Sequence, residues 1–312
     1  MRAALIRELG SGPELGEADQ PAVDVVEVLA APLNPVDLGV ASGNYHAGNP
    51  SLPYVPGCEA IGRTADGRIV WIFGGGFGLS RDGGMAERAV IGDAAAVEVP
   101  ADVDPTLAGA LGIAGLAGWL PFTWRAPLHG GETVLVLGAT GSVGLVAVQA
   151  AKLLGAARVV AAGRDPERLA RAAALGADAT VRLGEHDDLA AALREAAGGD
   201  GPDYVFDALW GAPAAAAVRS AARGARIVNL GQSAGPTAEL ASGDVRGKNL
   251  TILGHVAFSV PHDVLAEHYP RLVARARAGE IQLDVERVPL ADVADAWRRQ
   301  AAGEATKLVL VP

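Results

Sequence analysis

The rhythm of apolar and polar positions changes once along the chain, near residue 110. Before that point, short β-like runs at 23–30, 68–73 and 85–91 alternate with turns that Gly and Pro punctuate. The first ten residues carry charges at Arg2, Arg7 and Glu8, so they read as an initial strand and not as the apolar core of a secretory leader. From Glu132 the texture becomes strand, helix, strand: 133–137, a helix-like 142–154, and a strand at 158–162. The alternation continues through a helix at 166–175, a strand at 179–181, a helix at 187–197 and a strand at 204–206, then a helix at 212–222 and strands at 225–230 and 250–253. Apolar strands separated by amphipathic crossovers predict a doubly wound parallel sheet.

Beyond Gly254 the pattern is a helix at 262–278, a strand at 285–288, a helix at 290–302 and a strand at 307–311. This tail is too small for an independent core and is expected to pack back on the first domain. The expected organisation is a substrate domain from 1–112 and 255–312, with a dinucleotide-binding domain at 113–254. The longest apolar stretch, 107–122, is short for a membrane span and contains several glycines, so it reads as a closely packed buried helix.

Among 312 residues, 50% are apolar, enough for a sizeable core, and the formal net charge of −10 argues against a nucleic-acid surface. Cys58 is the only cysteine, which excludes an intrachain disulfide and a cysteine-rich zinc site. A soluble protein in the cytoplasm, without a membrane or nucleic-acid partner, is the expectation.

The junction after strand 133–137 carries the chemistry. Gly138, Thr140, Gly141, Ser142, Val143 and Gly144 form a G-x-x-G-x-x-G turn between an apolar strand and a helix. Backbone N–H groups and a helix N-terminus there can meet a pyrophosphate, while the last glycine permits close strand–helix packing. The spacing departs from G-x-G-x-x-G, but the strand before, the helix after and the next strand on schedule point to a dinucleotide. Nineteen residues beyond Gly144 stands Gly163, where an NAD site commonly has an acid for the ribose 2′-hydroxyl. Arg164 and Arg168 follow and can pair with a 2′-phosphate, which favours NADPH. Asp165, two positions on, can alternatively serve the ribose, or can cap the helix that Pro166 begins.

Asn34-Pro35-Val36-Asp37, Ser42-Gly43-Asn44-Tyr45 and Pro56-Gly57-Cys58-Glu59-Ala60-Ile61-Gly62 together resemble the zinc-free, zeta-crystallin-like quinone oxidoreductase family of medium-chain dehydrogenases/reductases. The glycine turn, the 112–119 segment and Lys307-Leu308-Val309-Leu310 extend the resemblance over nearly the whole chain. It implies a GroES-like, mostly β catalytic domain beside a Rossmann-type domain. It also puts Asn34 and Tyr45 beside the nicotinamide, as hydrogen-bond donors to a substrate carbonyl. Alternatively, Asn34 serves only the turn before Pro35. Tyr45 donates a proton, only orients the substrate, or is simply a rim aromatic. Leu230, Gly231 and Gln232 are expected near the nicotinamide amide, with His255, Val256 and Phe258 on the opposite wall. Lys307 is expected to approach the pyrophosphate, or else to be a sheet-edge lysine.

Zinc relatives in the superfamily place cysteine and histidine ligands at positions where this chain has Asn34 and Cys58, and no cysteine or histidine occurs between Gly112 and Trp119. A catalytic zinc needs three protein ligands, so no metal is expected and Cys58 reads as a small buried hydrophobe. Hydride delivery without a Lewis acid suits a quinone or an enone conjugated to a carbonyl. A dedicated biosynthetic reductase for a polyketide-like or acyl-thioester substrate and a non-catalytic NADPH-binding sensor are the alternatives. A homodimer through strand 250–253 is also expected. The turn at 63–68 is shorter than is usual in the family, and the glycine-rich 74–78 stretch that follows has the composition of a mobile loop.

Overall fold

A computed structural model describes residues 1–45 and 48–312. In chain order its strands are β1 (Arg2–Leu5), β2 (Glu14–Glu17), β3 (Val25–Pro32), β4 (Glu59–Arg63), β5 (Ile69–Phe73), β6 (Arg88–Val90) and β7 (Ala95–Glu98), followed by β8 (Thr133–Leu137), β9 (Arg158–Gly163), β10 (Ala179–Arg182), β11 (Tyr204–Asp207), β12 (Arg226–Asn229) and β13 (Thr251–Gly254), and finally β14 (Val285–Pro289) and β15 (Lys307–Val311). They divide between two compact units, Met1–Ala114 with Pro261–Arg277 and Leu283–Pro312, and Gly115–Val260 with Ala278–Gln282.

The first unit is mostly β. Its main sheet runs β14-β15-β3-β4-β5-β7, with β6 also on β3, and β1 pairs separately with β2. Val26, Val28, Ile72, Leu308 and Leu310 are buried in its core, and Trp71 is fully buried in a stack with Phe73 and Tyr269, at centroid distances of 5.2 and 4.6 Å. The glycine-rich 74–78 stretch, expected to be mobile, is instead tied down. Phe77 is fully buried and the Arg81 guanidinium binds the carbonyls of Gly75, Val90 and Ile91.

The second unit is the doubly wound sheet, six parallel strands in the order β10-β9-β8-β11-β12-β13. Both faces are buried. Leu135, Leu137, Val160, Val205 and Ile227 pack on one side with Leu193 and Ala217 from the helices Leu189–Ala197 and Gly211–Ser220. On the alternate positions, Tyr204 and Phe206 meet Phe122 at centroid distances of 4.9 and 5.6 Å, and the Tyr204 hydroxyl donates to Pro121 O. Burial on both faces explains why these strands read as continuous apolar runs and not as alternating ones.

The expected limits at 112/113 and 254/255 differ from the observed units. Residues 255–260 and 278–282 group with the parallel sheet. His255 N–H donates to Asn229 O, continuing the β12–β13 ladder, and Gln282 exchanges two hydrogen bonds with Gln149, of 2.8 and 2.9 Å. The 107–122 stretch lies within a helical run, Pro105–Arg125, that is long and apolar enough to cross a membrane, yet most of it is buried in the fold. The run is interrupted at Gly112, where a side chain would strike Glu59 Oε2 and the Trp71 indole.

Candidate active site

Because every strand of the second sheet runs the same way, the segments after β8, β9, β11, β12 and β13 emerge at one edge. Gly138–Gly144 follow β8; Gly163, Arg164 and Arg168 end or follow β9; Leu230–Gln232 follow β12; and His255, Val256 and Phe258 follow β13. The carboxyl edge of such a sheet is where ligands bind.

The glycine turn is built for close approach. A Cβ on Gly144 would lie 2.2 Å from Gly138 O and 2.6 Å from the Ala139 Cα, so only glycine lets the first turn of the helix Ser142–Leu153 sit on the end of β8. Gly141 is the N-cap of that helix and offers no side-chain acceptor to its first turn, the kind of helix start that can meet an anion. Nothing lies within 4 Å of where a Gly141 side chain would project. The end of β9 is fitted to the same turn, since a Cβ on Gly163 would stand 2.4 Å from Thr140 Cγ2. A side chain at this position would have to displace that of Thr140.

Asp165 is the N-cap of the helix Pro166–Ala174, where its Oδ1 accepts from Glu167 N and Arg168 N at 3.0 and 3.1 Å. The cap uses one oxygen of the carboxylate that offered the alternative ribose contact. Arg168 leans on the same carboxylate, with Nε 3.7 Å from Oδ2. Arg164 is exposed, and among the described residues none pairs with its guanidinium. Arg182, in register with Gly163 on β10, donates from Nε to Arg164 O and pairs with Glu185. Sequence reasoning missed Arg182 because only strand pairing brings it beside β9.

Strand β11 adds residues that the sequence pattern did not single out. Asp207, fully buried, accepts from Leu209 N and Trp210 N through one oxygen and from Asn229 Nδ2 through the other, each at 2.9 Å. Burial raises its carboxyl pKa, and these hydrogen bonds oppose the rise. The clamp holds Trp210 at φ 57° and ψ −159°, a region suited to glycine that costs a larger residue on the order of 1–3 kcal/mol. Asn229 also donates to Gly231 O at 2.8 Å, so one buried carboxylate orders the segments after β11 and β12. After β13, Val256 is exposed, Phe258 is half-buried, and His255 is buried with Nε2 lacking a partner among the described residues. Burial and then Arg125 push its pKa down to about 4, so the imidazole is neutral.

In the first unit, Asn34 and Lys307 belong to one buried polar network. Lys307 Nζ donates to Leu33 O at 2.8 Å and to Asn34 Oδ1 at 2.5 Å. The Asn34 amide donates to Glu59 Oε1 at 2.9 Å and to Pro32 O at 3.3 Å, and Glu59 Oε2 accepts from the Trp71 indole and from Ile113 N. Asp37 accepts from Asn34 N and Cys58 N at 2.7 and 2.8 Å. Burial raises both carboxyl pKa values and lowers that of Lys307, and the opposite charges counter both effects.

Two expectations change here. Both amide hydrogens of Asn34 are engaged, so the residue has no donor left for a substrate carbonyl. Lys307 is not a sheet-edge lysine, since β15 lies between β14 and β3, and its buried ammonium donates to Leu33 O and Asn34 Oδ1 inside this unit. Tyr45 is half-buried against the same core, with its phenol pKa raised by burial and then by Cys58. Cys58 is fully buried, and its thiol pKa is pushed well up by burial. Among the described residues no group of three or more His, Cys, Asp or Glu is arranged to hold a metal ion.

Comparison with known proteins adds the following. Residues 142–275 match the family model described as "Zinc-binding dehydrogenase", a span that leaves out the segment carrying Asn34 and Cys58. The bovine (Bos taurus) quinone oxidoreductase-like protein 2 is 30% identical over 81% of this chain and 74% of its own length. A homolog of that protein from Nematostella vectensis is 27% identical over 73% of this chain, which spans 63% of that relative. The quinone oxidoreductase of Thermus thermophilus, whose structures include a complex with NADPH, superposes with a TM-score of 0.82 over the full length of both chains at 28% identity.

Proposed function

Because the chain belongs to the zinc-free quinone oxidoreductase family of the medium-chain dehydrogenase/reductase superfamily, we propose that it reduces a quinone or enone-type conjugated carbonyl with NADPH. The observation that carries this reading is the end of β9, where Gly163 packs against Thr140 in place of an acid, Asp165 is engaged as a helix cap, and the Arg164 guanidinium stands exposed. A 2′-phosphate fits that combination better than a 2′-hydroxyl, because a guanidinium pairs with a dianion through two parallel hydrogen bonds. First-turn N–H groups at Ser142, Val143 and Gly144 would hold the pyrophosphate. Bound NADPH would supply the hydride.

The parallel-sheet unit is the nucleotide-binding part of this scheme and the mostly β unit the substrate part. Tyr45 is the donor to the substrate oxygen as charge develops on it; its raised pKa keeps the phenol protonated through neutral pH. Asn34 acts one step removed, fixing Lys307 and Glu59 in the adjoining network. A conjugated acceptor suits this equipment, since neutral donors can hold the charge that an alcohol's alkoxide would place on a metal. The net charge of −10 and the single buried thiol fit a cytoplasmic enzyme acting on a small molecule, with no nucleic-acid or membrane partner.

The test is NADPH consumption with a quinone and an enone, set against oxidation of a primary alcohol, in the parent and in Arg164→Ala. The parent should consume NADPH with the conjugated acceptors only. The variant should raise KM for NADPH about tenfold to a hundredfold, as loss of a charge-assisted contact implies, with little change for NADH. Equal weakening of both cofactors would overturn the phosphate assignment.

A further inference from the structure

The order of the parallel sheet reverses between β8 and β11: the chain builds outward from β8 through β9 to β10, then returns to β11 on the other side. Loops that diverge at such a point leave a crevice for a ligand. One wall is the glycine turn after β8. The other is Asp207-Ala208-Leu209-Trp210-Gly211, and the two adjoin, since a Cβ on Gly138 would stand 3.2 Å from Leu209 Cδ2 and 3.3 Å from the Ala208 Cβ.

We infer that Trp210 is a wall of this crevice, contacting the nicotinamide end of the dinucleotide. Glycine would occupy φ 57°, ψ −159° without strain, yet the chain holds its half-buried tryptophan there. The conformation is over-determined. Asp207 binds Trp210 N and Leu209 N at 2.9 Å, and Ala234 N donates to Leu209 O at 2.8 Å. Gly211, at φ 64°, packs against Ala234 O. Such a clamp fixes the residue that bears a large aromatic, in the segment beside the crevice, against the local backbone preference, and a flat indole is suited to a planar ring. Among the described residues none accepts a hydrogen bond from the indole N–H, so the side chain is not held by polar contacts within its own unit.

This inference rests on the nucleotide reading above, and the experiment separates the two. Calorimetry would measure NADPH and 2′-phospho-ADP-ribose, which lacks the nicotinamide, on the parent, Trp210→Gly and Trp210→Phe, alongside thermal unfolding without ligand. Trp210→Gly should unfold at a higher temperature, because its strain is relieved, and bind NADPH about threefold to tenfold more weakly, in line with one lost aromatic contact. Its affinity for 2′-phospho-ADP-ribose should be unchanged. Trp210→Phe retains a ring and the strained backbone and should stay within about twofold of the parent. Undiminished NADPH affinity in Trp210→Gly would overturn the inference, as would equal weakening of NADPH and the fragment. Failure of the parent to bind either compound would overturn the nucleotide reading itself.

Discussion

Asn34 is a residue whose hydrogen bonds within the fold define its task more closely than its place in the chain. Its amide bridges Lys307 and Glu59, so Asn34→Ala leaves a buried carboxylate oxygen without its donor and an ammonium with one acceptor fewer. The variant should lose about 3 kcal/mol of stability by chemical denaturation. Loss of turnover without loss of stability would return Asn34 to direct contact with substrate. His255 makes a pH-dependent prediction. Its folded pKa of about 4 lies below the ordinary value of 6.5, so between those values the unfolded chain binds more protons and stability rises with pH. The contribution is complete above about pH 6.5 and is lost as pH falls towards 4, up to about 3 kcal/mol. His255→Gln should flatten the unfolding profile across this window; an unchanged slope would show that His255 is not the titrating group. Neither role was legible locally, since Lys307 and Asn34 are 273 positions apart and the desolvation of His255 depends on the fold around it.

Among the elements, the turn after β8 was read with the least loss. Its glycines, the following helix and the strand at β9 are consecutive in the chain, and their demands are local: a tight turn, a helix start and close packing. Gly144→Ala tests that local logic. With 2.2 Å between the new Cβ and Gly138 O, the turn must shift, so stability should fall by about 1–3 kcal/mol and NADPH affinity should fall with it. An alanine variant of parental stability and affinity would mean that the turn adjusts freely. The segment after β11 was less legible. Asp207 ends an apolar strand and looks like an ordinary turn acid, until pairing with β12 brings Asn229 to its second oxygen. The 74–78 stretch fails in the opposite direction. Its glycines suggested mobility, but buried Phe77 and the Arg81 guanidinium anchor it.

For the whole molecule, β13 lies at the end of the parallel sheet with no further strand beside it among the described residues, and of its outer row Gly254 O accepts from Arg125 Nε at 2.8 Å. An exposed parallel edge with Ile252 and Leu253 half-buried is a hazard that pairing with a second copy would remove. We expect a homodimer through this edge. Light scattering should give twice the mass of the 31.6 kDa chain at micromolar concentration, and Ile252→Lys should shift it toward monomer. A monomeric parent would refute the arrangement.

Local pattern was enough for the class of the fold and for the glycine turn between β8 and its helix, because hydrophobic period, chain punctuation and strand-to-helix glycines act between near neighbours. The partners of the buried polar groups came only from the packing of distant segments. Lys307 carries one meaning as a charge in a β-run and another once β15 lies against β3, facing Asn34 and through it Glu59. Low dielectric makes every unpaired group there expensive, so the fold, and not the local pattern, assigns each donor its acceptor.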